Sequence, residues 1–215
     1  MIYFKRLNTC FIRIPKNASS SAMLFLYDNV WHKEDTISRM YRWNEHEYDK
    51  TYHENCPVLP NAHVDAKYVI DNGIVPATAQ FYGIIREPLE RCLSLYLYRI
   101  RDGRYGKILP SPEHFQSLFK YGVLQDTPQQ MQIQSTFLNE TGKYWLYEDI
   151  EKQLTDFCAQ HNIKISVPLQ LLNKSPGDTK RLVPIFFSNK VLTEFKIAYQ
   201  KDFELYEKVK NNDVH

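Results

Sequence analysis

Residues 9–31, TCFIRIPKNASSSAMLFLYDNVW, decide the fold class. Thr9 to Ile14 is a short run of β-formers, and Pro15 stops it because proline has no N–H to give a sheet and its ring fixes φ. From Ser19 to Trp31, Ala22, Met23, Leu26 and Val30 recur at helical spacing. The stretch reads strand, loop, helix, and the order returns downstream. Gln80 to Ile85 (QFYGII) predicts a second buried strand, and Pro88 falls where the first turn of a helix tolerates it. Leu89, Cys92, Leu93, Tyr96, Leu97 and Ile100 then form one apolar stripe. Lys143 to Tyr147 predicts a third strand, with Asp149 as cap for a helix over Ile150 to Gln160, and Ile163 to Val167 a fourth. Helix is also expected near Gln129 to Leu138, and one last helix, capped by Ser188, through Val191, Phe195, Tyr199, Phe203 and Tyr206.

Strands separated by helices argue for an α/β fold with a central parallel sheet covered on both faces, whose ligands bind beyond the carboxyl ends of the strands. With no internal repeat, residues 1–215 read as one domain. Two excursions interrupt it. Residues 32–62 are polar and aromatic (Tyr41, Trp43, Tyr48, Tyr52), and residues 101–130 carry Gly103, Gly106, Pro110 and Pro112. The first is a candidate binding surface, and Asn173 to Arg181 is expected to be a polar, lid-like loop.

Composition narrows the function. The 215 residues hold 27 Lys+Arg against 25 Asp+Glu, a formal charge of +2, so no global basic field favours nucleic acid and any anion site must be local. The apolar stretches are far short of the roughly 18 to 20 residues a spanning helix needs, and Lys5, Arg6, Arg13 and Lys16 break up the N-terminus. A soluble, cytoplasmic protein is expected. Cys10, Cys56, Cys92 and Cys158 form no CxxC pair, which leaves reduced structural thiols. Only seven glycines are present, the first at Gly73, so the N-terminal third can hold neither a GxGxxG turn nor a GxxxxGK[ST] phosphate loop.

Two junctions of strand and helix carry the chemistry. The first is Ile14-Pro15-Lys16-Asn17-Ala18-Ser19-Ser20-Ser21, where the N–H groups of a helix start, three hydroxyls and an ammonium make an anion cradle. The alternative is a serine-capped helix with an exposed lysine. The second is Ile85-Arg86-Glu87-Pro88-Leu89-Glu90-Arg91-Cys92-Leu93-Ser94, where a guanidinium at the strand end and a hydroxyl two turns into the helix could reach one phosphate. The alternative is Arg86 paired to Glu87 or Glu90.

Taken together, IPKNASSS and IIREPLERCLSLYLY resemble the paired signatures of the sulfotransferases that use 3′-phosphoadenosine 5′-phosphosulfate. The resemblance implies a P-loop-like sulfotransferase fold, with Lys16, Asn17, Ala18, Ser19, Ser20 and Ser21 on the 5′-phosphosulfate and Arg86 with Ser94 on the 3′-phosphate. Asn61-Ala62-His63-Val64 resembles the GHV segment of the heparan and dermatan uronyl 2-O-sulfotransferases, with Ala62 in place of glycine, and so implies that His63 is the general base. Tyr147-Glu148-Asp149-Ile150 is similar to the family's strand-end segment. Leu172-Asn173-Lys174-Ser175 is similar to its late loop, which adds Lys174 to the nucleotide ligands, and Tyr199 to Tyr206 to its last helix. A soluble bacterial or viral relative, without anchor or stem, is expected rather than a Golgi enzyme.

What the resemblance implies is sulfuryl transfer to a hydroxyl acceptor, a glycan foremost, by in-line displacement and without a metal, leaving adenosine 3′,5′-bisphosphate. The two excursions are then expected to face the acceptor. Lys16 would also be catalytic, meeting the charge that grows on the bridging oxygen. Two other classes stay open: a nucleotide-dependent phosphotransferase, against which the missing glycine loop speaks, and a non-catalytic nucleotide- or glycan-binding module. Should His63 not be the base, Glu148 and His114 come next. His46, His53 and Cys56 match no metal-ligand spacing, and Arg99, Arg101, Arg104 and Lys107 read as a solvated basic run.

Overall fold

The computed structural model describes residues 1–37, 59, 63–120, 131–172 and 178–211. These fall into two compact units, one of residues 1–14, 18–85 and 136–172, the other of residues 15–17, 86–135 and 173–215.

The first unit is built on a five-stranded mixed sheet. Its strands are β1 (Ile2–Phe4), β2 (Thr9–Ile12), β3 (Thr36–Ile37), β4 (Gln80–Ile85) and β5 (Lys143–Leu146), in the spatial order β3-β1-β2-β4-β5. β2, β4 and β5 are parallel, with Phe11 opposite Tyr82 and Tyr82 opposite Lys143. β1 and β3 add antiparallel pairing at one edge, with Ile2 opposite Phe11 and Ile37 opposite Ile2, so the expected all-parallel sheet is corrected to a mixed one. The β1–β2 reversal closes through Asn8, whose φ of 46° is left-handed and whose Nδ2 donates to the Thr78 carbonyl. Asparagine tolerates that conformation better than most residues.

α1 (Ser19–Asn29) and α5 (Ile150–Gln160) cover one sheet face. Ile2, Phe4, Phe11, Tyr82, Ile84 and Trp145, the alternate residues of their strands, pack there against Met23, Leu26, Leu154 and Phe157. The rings of Tyr82 and Trp145 lie 4.9 Å apart, and those of Trp145 and Phe157 5.7 Å. On the opposite face a Cβ at Gly83 would come within 3.0 Å of Ile14 Cδ1 and 3.4 Å of Leu138, so only glycine fits without displacing them. α2 (Ala66–Asp71) is capped by Asp65, which accepts from the Tyr68 N–H.

Ile163 to Val167 is no strand. Ile163 and Ile165 pack on the core as the alternation suggests, but the backbone is satisfied by a side chain: Asn29 Oδ1 accepts from the N–H groups of Ser166 and Val167, and Asn29 Nδ2 donates to the Val167 carbonyl.

The second unit is helical: α3 (Pro88–Arg101), α4 (Pro112–Lys120), α6 (Thr179–Phe186), α7 (Asn189–Ala198) and α8 (Gln200–Lys210). Glu87 caps α3 by accepting from the Glu90 N–H, with Pro88 in the first turn as expected. The stripe through Leu89, Cys92, Leu93 and Tyr96 joins Phe115, Phe186, Phe187, Val191 and Phe195 in an aromatic core, with Phe115–Phe187 centroids 4.9 Å apart. The expected single C-terminal helix is two, broken at Tyr199, and Ser188 caps the first as predicted. α4 occupies part of the 101–130 excursion; of the loop expected at 173–181, residues 173–177 lie outside the described residues and α6 already begins at Thr179. Among the described residues between Gln129 and Leu138 there is one 3-10 turn, Gln134–Thr136, where a helix was expected. No helix among the described residues is long and apolar enough to cross a membrane.

Candidate anion-binding site

The chain leaves β2 through Arg13 and Ile14 and turns at Pro15–Asn17, which belongs to the helical unit. This loop contains no glycine, yet Lys16 and Ala18 take φ of 66° and 53°. Left-handed backbone at non-glycine residues costs about 1–3 kcal/mol each and persists only where neighbours hold it. Two buried contacts do so in this unit: Arg91 Nε donates to the Pro15 carbonyl at 3.1 Å, and Asn17 Nδ2 donates to Gln134 Oε1 at 2.6 Å. The seven-glycine composition therefore excluded the glycine loop but not a tight turn.

Lys16 lies with its Nζ 4.0 Å from the centroid of the Tyr98 ring, and the Arg101 guanidinium carbon lies 5.4 Å from the same centroid. Burial, then the positive charges of Arg101 and Arg86, lower the Lys16 pKa from 10.5 to about 7, against a smaller opposing effect of Asp102.

Arg86 follows β4 and is 6% exposed. Its Nη2 donates to Glu90 Oε2 at 3.1 Å and to Thr179 Oγ1 at 2.5 Å, and Thr179 Oγ1 donates to Glu90 Oε2 at 3.0 Å. The pairing with Glu90 that the sequence left open is thus present. Ser94 is buried on α3.

Three residues that sequence reasoning missed tie this unit together. Gln134, fully buried, accepts at Oε1 from Asn17 Nδ2 and from the Arg86 N–H at 3.0 Å, while its Nε2 donates to the Arg86 carbonyl at 3.0 Å. Its own N–H donates to Asp202 Oδ1 at 2.6 Å. Asp202 Oδ2 lies 3.4 Å from Arg91 Nη1, which also donates to the Gln132 carbonyl at 2.9 Å. Burial holds the Asp202 carboxyl above its ordinary range despite Arg91 and the N–H groups it accepts. The signal for Arg91 was in the sequence: Arg91, Ser94, Tyr98 and Arg101 recur at helical spacing on α3. Gln134 and Asp202 are isolated polar residues with no pattern to mark them.

In the sheet unit, Ala18 occupies the N-cap position of α1 without a side-chain cap, so Ser19, Ser20 and Ser21 lie inside the helix and none is its cap. Ser20 Oγ accepts from Arg13 Nη2 at 3.1 Å, and the buried Ser21 Oγ accepts from the Leu172 N–H at 2.8 Å. His63 Nδ1 lies 3.0 Å from the Arg13 carbonyl oxygen. A carbonyl only accepts, so Nδ1 carries the proton and Nε2 is the basic nitrogen.

Lys174, Asn61, Ala62, His46, His53, Cys56 and most of the 32–62 excursion lie outside the described residues. Glu148 is exposed after β5, and His114 Nδ1 lies 3.1 Å from the Tyr96 hydroxyl. The basic run is not uniformly solvated. Arg99 is buried with its Nη1 donating to the Tyr105 hydroxyl, and Arg104 pairs with Asp102. Cys10, Cys92 and Cys158 are free and buried. Among the described residues no group of three or more His, Cys, Asp or Glu is placed to hold a metal ion. Comparison of the chain with family models, curated proteins and solved structures finds no match.

Proposed function

We propose that this chain is a sulfotransferase with a P-loop-like fold, acting on a hydroxyl acceptor, foremost a carbohydrate. The observation that carries this reading is the placing of Lys16 and Arg101 on one aromatic ring, with Nζ 4.0 Å and the guanidinium carbon 5.4 Å from the Tyr98 centroid, in the same unit as Arg86. Desolvation first, and the positive charges of Arg101 and Arg86 second, disfavour the Lys16 ammonium until an anion arrives. The donor set of ammonium, guanidinium and hydroxyl groups suits phosphate and sulfate. The parallel core β2-β4-β5 suits the fold, because β2 and β4 lead directly into Lys16 and Arg86.

When bound, 3′-phosphoadenosine 5′-phosphosulfate supplies the sulfuryl group that the acceptor hydroxyl receives. Lys16 meets the negative charge that builds on the departing 5′-phosphate oxygen, a charge larger in the transition state than in the ground state. Asn17 fixes the loop, and Ala18, Ser19, Ser20 and Ser21 keep the phosphosulfate role that the sequence resemblance gives them. Arg86 and Ser94 hold the 3′-phosphate, with Lys174 as a further cation. His63, with Nδ1 protonated, takes the acceptor's proton at Nε2.

Titration calorimetry with adenosine 3′,5′-bisphosphate, adenosine 5′-phosphate and magnesium ATP tests the reading. The bisphosphate should bind most tightly. Tightest binding of magnesium ATP would favour a phosphotransferase instead.

A further inference from the structure

Gln134 is placed as a clamp between the two halves of the proposed nucleotide site. Its carboxamide engages both backbone groups of Arg86, the residue assigned to the 3′-phosphate, and the side chain of Asn17, in the loop assigned to the 5′-phosphosulfate. Its main chain is in turn held by Asp202, which Arg91 neutralises, and Arg91 also grips the Pro15 carbonyl. Gln134 and Asn17 are fully buried, and Asp202 and Arg91 are each 1% exposed.

Such a network is a poor means of gaining stability, since polar and charged groups removed from water regain by pairing little more than they lost. An apolar core would serve a merely structural purpose as well. What such a network supplies is one defined arrangement, because its donors and acceptors meet within hydrogen-bond distance only in that geometry. Here that arrangement fixes the spacing between Arg86 and the strained turn at Lys16.

We propose that Gln134 is a positioning residue that sets the separation of the two anion subsites, and so selects ligands bearing two anionic groups at a fixed distance. The inference rests on the nucleotide reading above. In a prearranged site, the second anionic group of a bisphosphate binds as an intramolecular partner, so its affinity exceeds what separate monophosphates predict.

The test compares adenosine 5′-phosphate, adenosine 3′-phosphate and adenosine 3′,5′-bisphosphate on the full chain by calorimetry, with thermal unfolding alongside. In Gln134→Met, which keeps length but makes no hydrogen bond, the preference for the bisphosphate over either monophosphate should fall about ten- to hundredfold, with smaller changes in monophosphate affinity. Asn17→Ala, which removes the loop side chain that Gln134 Oε1 holds, should reduce the same preference and serves if Gln134→Met does not fold. A preference unchanged in the folded variants, whether both classes of ligand weaken together or neither does, overturns the inference and leaves the functional reading standing. Failure of the wild-type chain to bind any of the three nucleotides overturns the reading and the inference with it.

Discussion

In the proposed function, the depressed pKa of Lys16 makes anion binding a proton-linked event. In the free protein the amine titrates at about 7, driven there first by burial and then by Arg101 and Arg86. A bound phosphate supplies the missing counter-charge and returns the amine toward its ordinary 10.5. At pH 8.5 Lys16 is mostly uncharged in the free protein and mostly charged in the complex, so binding takes up close to one proton. Between about pH 7.5 and 10, affinity for adenosine 3′,5′-bisphosphate should therefore fall by about tenfold per pH unit. The phosphates contribute nothing there, because their second pKa is about 6. Calorimetry at pH 8.5 in buffers of different ionisation enthalpy reads the uptake as a slope. Lys16→Met should abolish it and flatten the pH profile. A wild-type slope of zero, with the bisphosphate bound, would refute the electrostatic picture. Stability carries the same linkage in the free protein. The folded pKa lies below the unfolded one, so the unfolded chain holds more protons from about pH 7 to 10.5. The penalty of the buried charge is complete below that window and is relieved as pH rises through it, so wild type should gain on Lys16→Met over that range.

Arg86→Ala should weaken bisphosphate binding by about ten- to hundredfold and leave adenosine 5′-phosphate nearly untouched, as charge-assisted hydrogen bonds contribute about 1.5–3 kcal/mol. Equal losses for both ligands would remove Arg86 from the 3′-phosphate. His63→Ala should lose about 10²- to 10⁴-fold in turnover while keeping nucleotide affinity, and turnover near wild type in the folded variant would move the base elsewhere.

The parallel centre of the sheet was legible because β2, β4 and the helices after them carry their periods plainly, TCFI and QFYGII as buried runs and Leu89 to Ile100 as a stripe. β1 and β3 were not, since strands of three and two residues are too short to show alternation. Ile163 to Val167 has the pattern of a strand but is held by Asn29, a long-range side-chain contact that no local period encodes. At the candidate site, the sequence placed Lys16 and Arg86 just after β2 and β4, and the left-handed backbone at Lys16 was hidden because no glycine announces it. Gln134 and Asp202 escaped for a related reason: their role lies in partners distant in sequence.

Sulfur-radiolabelled 3′-phosphoadenosine 5′-phosphosulfate incubated with the full chain and a panel of glycans, phenols, lipids and peptides tests the central claim most directly. The label should move to a hydroxyl of one acceptor class in step with release of adenosine 3′,5′-bisphosphate, and should fail to move with His63→Ala. Tight binding of the donor with all label remaining on the nucleotide across the panel would contradict the claim and leave a nucleotide-binding module in its place.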